Sequence, residues 1–174
     1  NFEAPSMVAD MLSIFDPQLA DADTWETEQK WAFDPQFRDQ VEASVQLPTY
    51  EDQVARVESS FRGGSAEELN GMYRAFTDGT YGAASDTIVR QLEWQPAGDS
   101  VRGIGFKGGS LPGVLTQGFE LRRTDGTVAT AVWLIDGLPA DRFDQAMTQF
   151  GVQQQLIVEA MLSPEVLDRI ACVV

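Results

Sequence analysis

Apolar and polar positions recur with two different periods along this chain, and the change falls near residue 100. Before it the spacing is helical. Met7, Val8, Met11, Leu12 and Phe15 form a stripe at helical intervals. Trp25, Trp31, Phe33 and Phe37 follow among acids, interrupted by Asp16-Pro17 and Asp34-Pro35. That pattern predicts short helices joined by turns, with the aromatics packed inward. Thr49 with Asp52 can cap a helix running to about Ser59. Gly63-Gly64 breaks the chain, and Ser65 with Glu68 forms a capping box ahead of Leu69, Met72, Tyr73 and Phe76. Asp78-Gly79 stops that helix. Ser85 is placed to N-cap the next one, which carries Ile88, Val89 and Leu92 and ends near Trp94.

After a polar Pro/Gly turn at residues 95–100 the period becomes two. Val101, Gly103, Gly105 and Lys107 share one face of a strand, and Arg102, Ile104 and Phe106 the other. Residues 113–124 are strand-like, and Thr124-Asp125-Gly126 is a hairpin turn. The apolar, β-branched run Val128 to Ile135 is expected to be the most buried strand. Pro139 opens a long helix through Phe143, Met147, Phe150, Leu156 and Met161, interrupted at Ser163-Pro164 before a short helix to Ile170. The predicted fold is α+β: N-terminal helices, then a three-stranded antiparallel sheet over about 100–136, covered by a long C-terminal helix. The organisation expected is one domain over 1–174, with a helical part (1–95) and a part holding the sheet and C-terminal helices (96–174).

Composition narrows the function. The chain has 174 residues and a formal net charge of −15, from 27 acids against 12 bases. It lacks the clustered Lys/Arg that displaces phosphate counterions, so neither nucleic acid nor an anionic membrane surface is an expected partner. No apolar run approaches the length of a membrane span. Histidine is absent, which excludes a Ser-His-Asp triad, a Cys-His pair or a His-zinc centre made from this chain alone. No metal or other cofactor is expected. Cys172 lies in an apolar tail and is expected to be buried.

One segment concentrates chemistry. Lys107 is one of only two lysines, and it stands at a strand end before Gly108, Gly109 and Ser110. A cation beside small residues, backbone N–H groups and a hydroxyl suits an anionic group or a developing oxyanion. Other residues read more plainly: Glu67-Glu68 as a solvated helix start, Asp136 as a turn residue, the four tryptophans as core. Of Arg122 and Arg123, one is expected to face solvent and the other could help hold a substrate carboxylate.

The run Lys107-Gly108-Gly109-Ser110, followed by a strand, an Asp-Gly hairpin, an apolar strand and a C-terminal helix, resembles the end of the serine hydrolases of the class A β-lactamase and penicillin-binding-protein superfamily. There the motif Lys-Thr/Ser-Gly lies on a sheet-edge strand. Lys107 and Gly109 match its lysine and glycine, and Gly108 stands where the family usually has a hydroxyl. Gly63-Gly64-Ser65-Ala66-Glu67-Glu68-Leu69 and residues 80–94 are similar to segments that precede this motif, so the resemblance covers roughly residues 50–162.

The resemblance implies acyl transfer on an amide, β-lactam or ester, with a small-molecule or peptide substrate. Lys107 would bind an anionic group, the Ser110 N–H would serve the oxyanion hole, and Gly108 and Gly109 would leave room for substrate along the strand edge. It also implies a place outside the cytoplasm, periplasmic or secreted. Two departures stand out. None of the ten serines has a lysine three residues on, so the Ser-x-x-Lys nucleophile is missing. The second motif, Ser-x-Asn or Tyr-x-Asn, is missing too: Ser85-Asp86-Thr87 ends in Thr, and Asn70 follows Glu68. The chain alone is therefore expected to be inactive. It reads either as the C-terminal portion of a larger hydrolase, which the start at Asn1 favours, or as a non-catalytic binding or structural relative. As a portion, it should have an open sheet edge, able to take the missing N-terminal portion or a second copy.

Overall fold

A computed structural model of the chain describes residues 11–172 except 15, 17–18, 20–23, 45–47, 62 and 95–97. It divides into two compact units, Asn1–Arg62 and Gly63–Val174.

The first unit is helical, with α1 (Thr24–Phe33), α2 (Pro35–Ser44) and α3 (Tyr50–Ser60). Asp34-Pro35 is a cap as well as a break. Asp34 Oδ1 accepts the N–H groups of Gln36 and Phe37 at 2.9 and 3.2 Å, and Pro35 opens α2 where a missing N–H costs nothing. Thr49 caps α3 as its spacing from Asp52 requires. Residues 11–14 are helical, with Leu12 and Ile14 buried, and Arg56 donates to the Ser13 and Ile14 carbonyls at 3.0 and 2.9 Å. The rest of the predicted first stripe (Met7, Val8, Phe15) lies outside the described residues.

The inward-packed aromatics need correction. Trp25 is 66% and Phe33 84% exposed, while Thr27 is buried. Trp25 sits about 200° around the helix from Thr27, so one face of α1 cannot bury both.

The second unit holds α4 (Ala66–Thr77), α5 (Ala83–Leu92), β1 (Val101–Leu111), β2 (Val114–Arg123), β3 (Val128–Ile135), α6 (Ala140–Thr148), α7 (Phe150–Leu162) and α8 (Pro164–Ala171). It is α+β, with a three-stranded antiparallel sheet in the order β1-β2-β3. The Ser65–Glu68 capping box opens α4 with both reciprocal bonds present. Asp78 and Gly79 (φ 80°) end it. Helix α5 starts two residues before the expected Ser85 cap, after Gly82 (φ 57°). Ser85 is buried in the first turn, and its Oγ accepts the Tyr81 N–H at 3.2 Å.

Two tight turns make the sheet. Leu111-Pro112-Gly113-Val114 closes β1 on β2, with Gly113 at φ 81° behind a proline, the arrangement of a type II turn. Asp125-Gly126 closes β2 on β3. Gly126 is at φ 89°, and Asp125 Oδ1 accepts from the Thr127 N–H and hydroxyl at 2.8 and 2.7 Å.

Helices α4 and α5 pack on the face bearing Gly103, Gly105 and Lys107, where α4 meets β2 and β3 and α5 meets β1. Helix α7 covers the opposite face at β2 and β3. The C-terminal helical run is divided at Gln149, so α6 and α7 are separate segments. Phe106, Phe119 and Phe150 form the core on that side, with ring centroids 4.9 Å (Phe106–Phe119) and 6.3 Å (Phe106–Phe150) apart.

The most buried strand is β2, not β3. Leu115, Gln117, Phe119, Glu120 and Leu121 are all at or below 1% exposure, whereas Val128 is 42% exposed. Among the described residues the central strand has a neighbour on each side, and β3 has only β2. Cys172, expected to be buried, is exposed just past the end of α8. Among the described residues no helix is long and apolar enough to cross a membrane.

Candidate functional site

The strand alternation that brings Lys107 to a cavity also divides the predicted site. Lys107 and Gly109 stand on the α4 face of β1, opposite Gly118 and Thr116 of β2. Gly108 and Ser110 stand on the α7 face. A cavity of about 170 Å³ opens beneath α4, bounded by Leu69 and Tyr73 above and by Lys107, Gly109, Thr116 and Gly118 below. Val132 and Leu134 of β3 continue its apolar floor. Lys107 is exposed, and its Nζ donates to the Gly108 carbonyl. Thr116 Oγ1 donates to the Gly109 carbonyl at 3.3 Å.

Ser110 is exposed on the other face, so its hydroxyl is not beside the ammonium, as the sequence had suggested. Only its backbone remains available to the β1 edge. That edge is open: β1 pairs with β2 alone among the described residues. In an antiparallel pair alternate residues turn their N–H and C=O groups away from the partner, so half of the β1 backbone faces outward.

Each glycine has a specific neighbour. A Cβ at Gly108 would lie 2.7 Å from Phe106 Cζ and 3.0 Å from Phe150 Cζ. Its bareness therefore lets the α7 aromatic approach the sheet, and it leaves no side-chain space for a ligand on that face. At Gly109 the nearest atom is Thr116 Oγ1, 2.9 Å away. At Gly118 a Cβ would meet the Tyr73 ring at 2.3 Å, so Tyr73 rests directly against bare strand. Burial raises the Tyr73 phenol above its ordinary range, with a smaller contribution from Glu120.

Arg122 and Arg123, of which one was expected to face solvent and the other to be placed for a substrate carboxylate, are both bonded within the chain. Arg122 makes a two-pronged ion pair with Glu93 at the end of α5, through Nε and Nη2. Arg123 Nη2 donates to the Met161 carbonyl on α7. Asp136 is exposed between β3 and α6, the turn position expected for it. Trp94 is 69% exposed and Trp133 half-buried, so the tryptophans are not a shared core.

Glu120 escaped the sequence reading. It is 0% exposed, and neither carboxylate oxygen has a hydrogen-bond partner. Burial is the main cause that raises its pKa to about 7, helped by Glu93 and opposed by Arg122. The available signal was a lone acid between Phe119 and Leu121, which the register sets opposite Gly105 of β1. A second groove of about 370 Å³ lies on the α7 face, between β3, α7 and α8. Ala131, Trp133, Ile157, Met161 and Leu167 make it apolar, and its one cation is Arg123, already held by Met161. The larger space is therefore not the one with the chemistry. The described residues contain no cluster of acids or cysteine able to hold a metal ion.

No protein-family profile, curated protein or solved structure matched the chain.

Proposed function

We propose that this chain is the binding wall of a serine hydrolase of the β-lactamase and penicillin-recognising type, with the nucleophile supplied by a segment outside it. The observation that carries this reading is the position of Lys107: on an edge strand, at a cavity, beside outward-facing backbone. An ammonium there attracts a substrate's carboxylate or sulfonate. Outward N–H groups on β1, that of Ser110 among them in this reading, would polarise an acyl carbonyl as it becomes an oxyanion. A peptide-like substrate would pair along the edge as an added strand. The chain itself has no serine with a lysine base three residues on, so it binds and polarises but does not attack.

The open outer edge of β3 fits the same reading, because it leaves room for strands that precede this chain or for a second copy. A place outside the cytoplasm belongs to the proposal and rests on the resemblance alone. The second reading is a non-catalytic module that uses the β1 edge to hold a peptide, and the missing nucleophile favours it.

The test is acylation of the full-length polypeptide by a fluorescent penicillin or an activated ester. The hydrolase reading expects labelling of an upstream Ser-x-x-Lys serine, weakened about 10- to 100-fold by Lys107→Ala. Labelling unaffected by that substitution would overturn the role of Lys107. A full-length polypeptide with no upstream Ser-x-x-Lys would leave the binding module standing.

A further inference from the structure

On the α5 side of the sheet, two carboxylates rest on strand backbone that carries no side chains. A Cβ at Gly103 would lie 2.1 Å from Glu93 Oε1, and one at Gly105 would lie 2.5 Å from Glu120 Cγ. The acids occupy the space that those side chains would have filled. They differ in what they meet. Glu93, the C-cap of α5, is bound by both prongs of Arg122. Glu120 is sealed from water with both oxygens unpartnered.

Glu120 and Arg122 are two residues apart on β2, so their side chains stand side by side on one face. The charged and titratable groups around Glu120 are few. Helix α4 brings the Tyr73 phenol, and the end of α5 brings Glu93. Strand β2 brings Arg122, whose guanidinium also feels Asp86 of α5. Strand β1 offers Gly105 and β3 offers Thr130 opposite Glu120, and neither carries charge. Among the described residues the guanidinium is thus the one cation within reach of both acids, and it can satisfy only one of them through both prongs.

We propose that the Glu120 carboxyl is a proton-operated latch on helix α5. Neutral, it fits the gap over Gly105 and leaves the Glu93–Arg122 pair intact. Ionised, it draws the guanidinium from Glu93 and frees the C-terminal turn of α5 from the sheet. The proton leaves the carboxyl for solvent, and no other bond is made or broken. A buried carboxylate without a partner is costly, so ionisation must recruit the nearest donor. Burial, with the repulsion from Glu93, places this change near neutral pH. The latch is independent of any catalytic role for Lys107.

Two measurements on the same chain test it. A carbon-13 titration of the glutamate side-chain carboxyls should give Glu120 a midpoint near 7. Hydrogen exchange corrected for intrinsic rates should show protection of the Val89–Glu93 amides falling about tenfold between pH 6 and 8. Glu120→Gln should keep the high protection at both pH values, and Glu93→Gln should lower it at both. A Glu120 midpoint below about 5.5 would overturn the latch. So would a pH-dependent loss of protection that persists in Glu120→Gln. Should that variant fail to fold, the wild-type titration and Glu93→Gln still decide. Protection in Glu93→Gln that matches wild type at pH 6 would show that the pair does not hold the helix end.

Discussion

Arg122 of β2 grips Glu93, the last capping residue of α5, through two nitrogens, and Gly103 of the neighbouring strand makes room for that carboxylate. Helix end, central strand and edge strand therefore meet at one ion pair. Its two side chains are 27% and 10% exposed, so solvent screens it only in part.

Glu93→Ala leaves a guanidinium partly buried without its partner. The expected loss of stability is about 1–3 kcal/mol, read from urea unfolding of the second unit. Gly103→Ala should be at least as damaging, since the carboxylate it would strike is held in place by Arg122. A Gly103→Ala variant as stable as wild type would show that the pair can shift to accommodate a methyl group.

Gly118→Ala places a methyl group into the Tyr73 ring at 2.3 Å. The expected cost is about 1–3 kcal/mol, because α4 must lift or the ring must leave its rotamer. Replacing Tyr73 with Leu in the same chain should recover part of that loss. The double variant would then be more stable than the sum of the two single changes predicts.

Stability should depend on pH through Glu120, with a definite sign. Its folded-state pKa is raised to about 7, above the ordinary value of 4.5. The folded protein therefore holds a proton that the unfolded chain has lost between those values. Stability from this group is complete below pH 4.5, declines as pH rises towards 7 and levels off above it. The full span is on the order of 3 kcal/mol. Urea unfolding at pH 5 and pH 8 should resolve it, and Glu120→Gln should remove that slope. Glu68, Asp78 and Asp125 carry the opposite sign. Hydrogen bonds from Ser65, Thr80 and Thr127 lower them, so their contributions fade as the pH falls through the carboxylate range.

The capping box of α4 gives a milder change. Ser65→Ala removes the acceptor of the Glu68 N–H at 3.1 Å and the hydroxyl that donates to the Glu68 carboxylate. About 1 kcal/mol should be lost, and Ser65→Asp should retain most of it. Circular dichroism during thermal unfolding would register the difference.

The outer edge of β3 predicts self-association that strengthens with salt. Val128 to Ile135 contains no charge and no proline, the residues that usually guard an edge strand. A net charge of −15 keeps two copies apart at low ionic strength, and screening removes that barrier. Sedimentation at rising concentration in 20 mM and 500 mM salt should show it. Val128→Lys should suppress it.

What the sequence revealed depended on how local the cause was. The Thr49 and Ser65 caps, the Asp125-Gly126 turn and the three strands follow from residues within a few positions of one another, and each formed as its spacing required. The burial order of the strands did not follow, because β3 is apolar in composition yet has a neighbour on one side only. Nor did the fate of Arg122 and Arg123, whose partners Glu93 and Met161 lie 29 and 38 residues away. Lys107 was legible as a cation at a strand end, and the cavity beside it depends on α4. The separation of Ser110 from Lys107 was implicit in the two-residue period. Trp25, Trp94 and Cys172 are apolar residues whose exposure no local pattern announces.

The sheet is a simple meander, with each strand pairing only with its neighbour in the chain and both turns spanning a few residues. Its pairings can form by zippering outward from Pro112-Gly113 and Asp125-Gly126, with little loop entropy to overcome. Residues 101–135 should therefore be the first part of the second unit to gain structure as the polypeptide folds. They would then offer a ready template on which later and earlier helices settle.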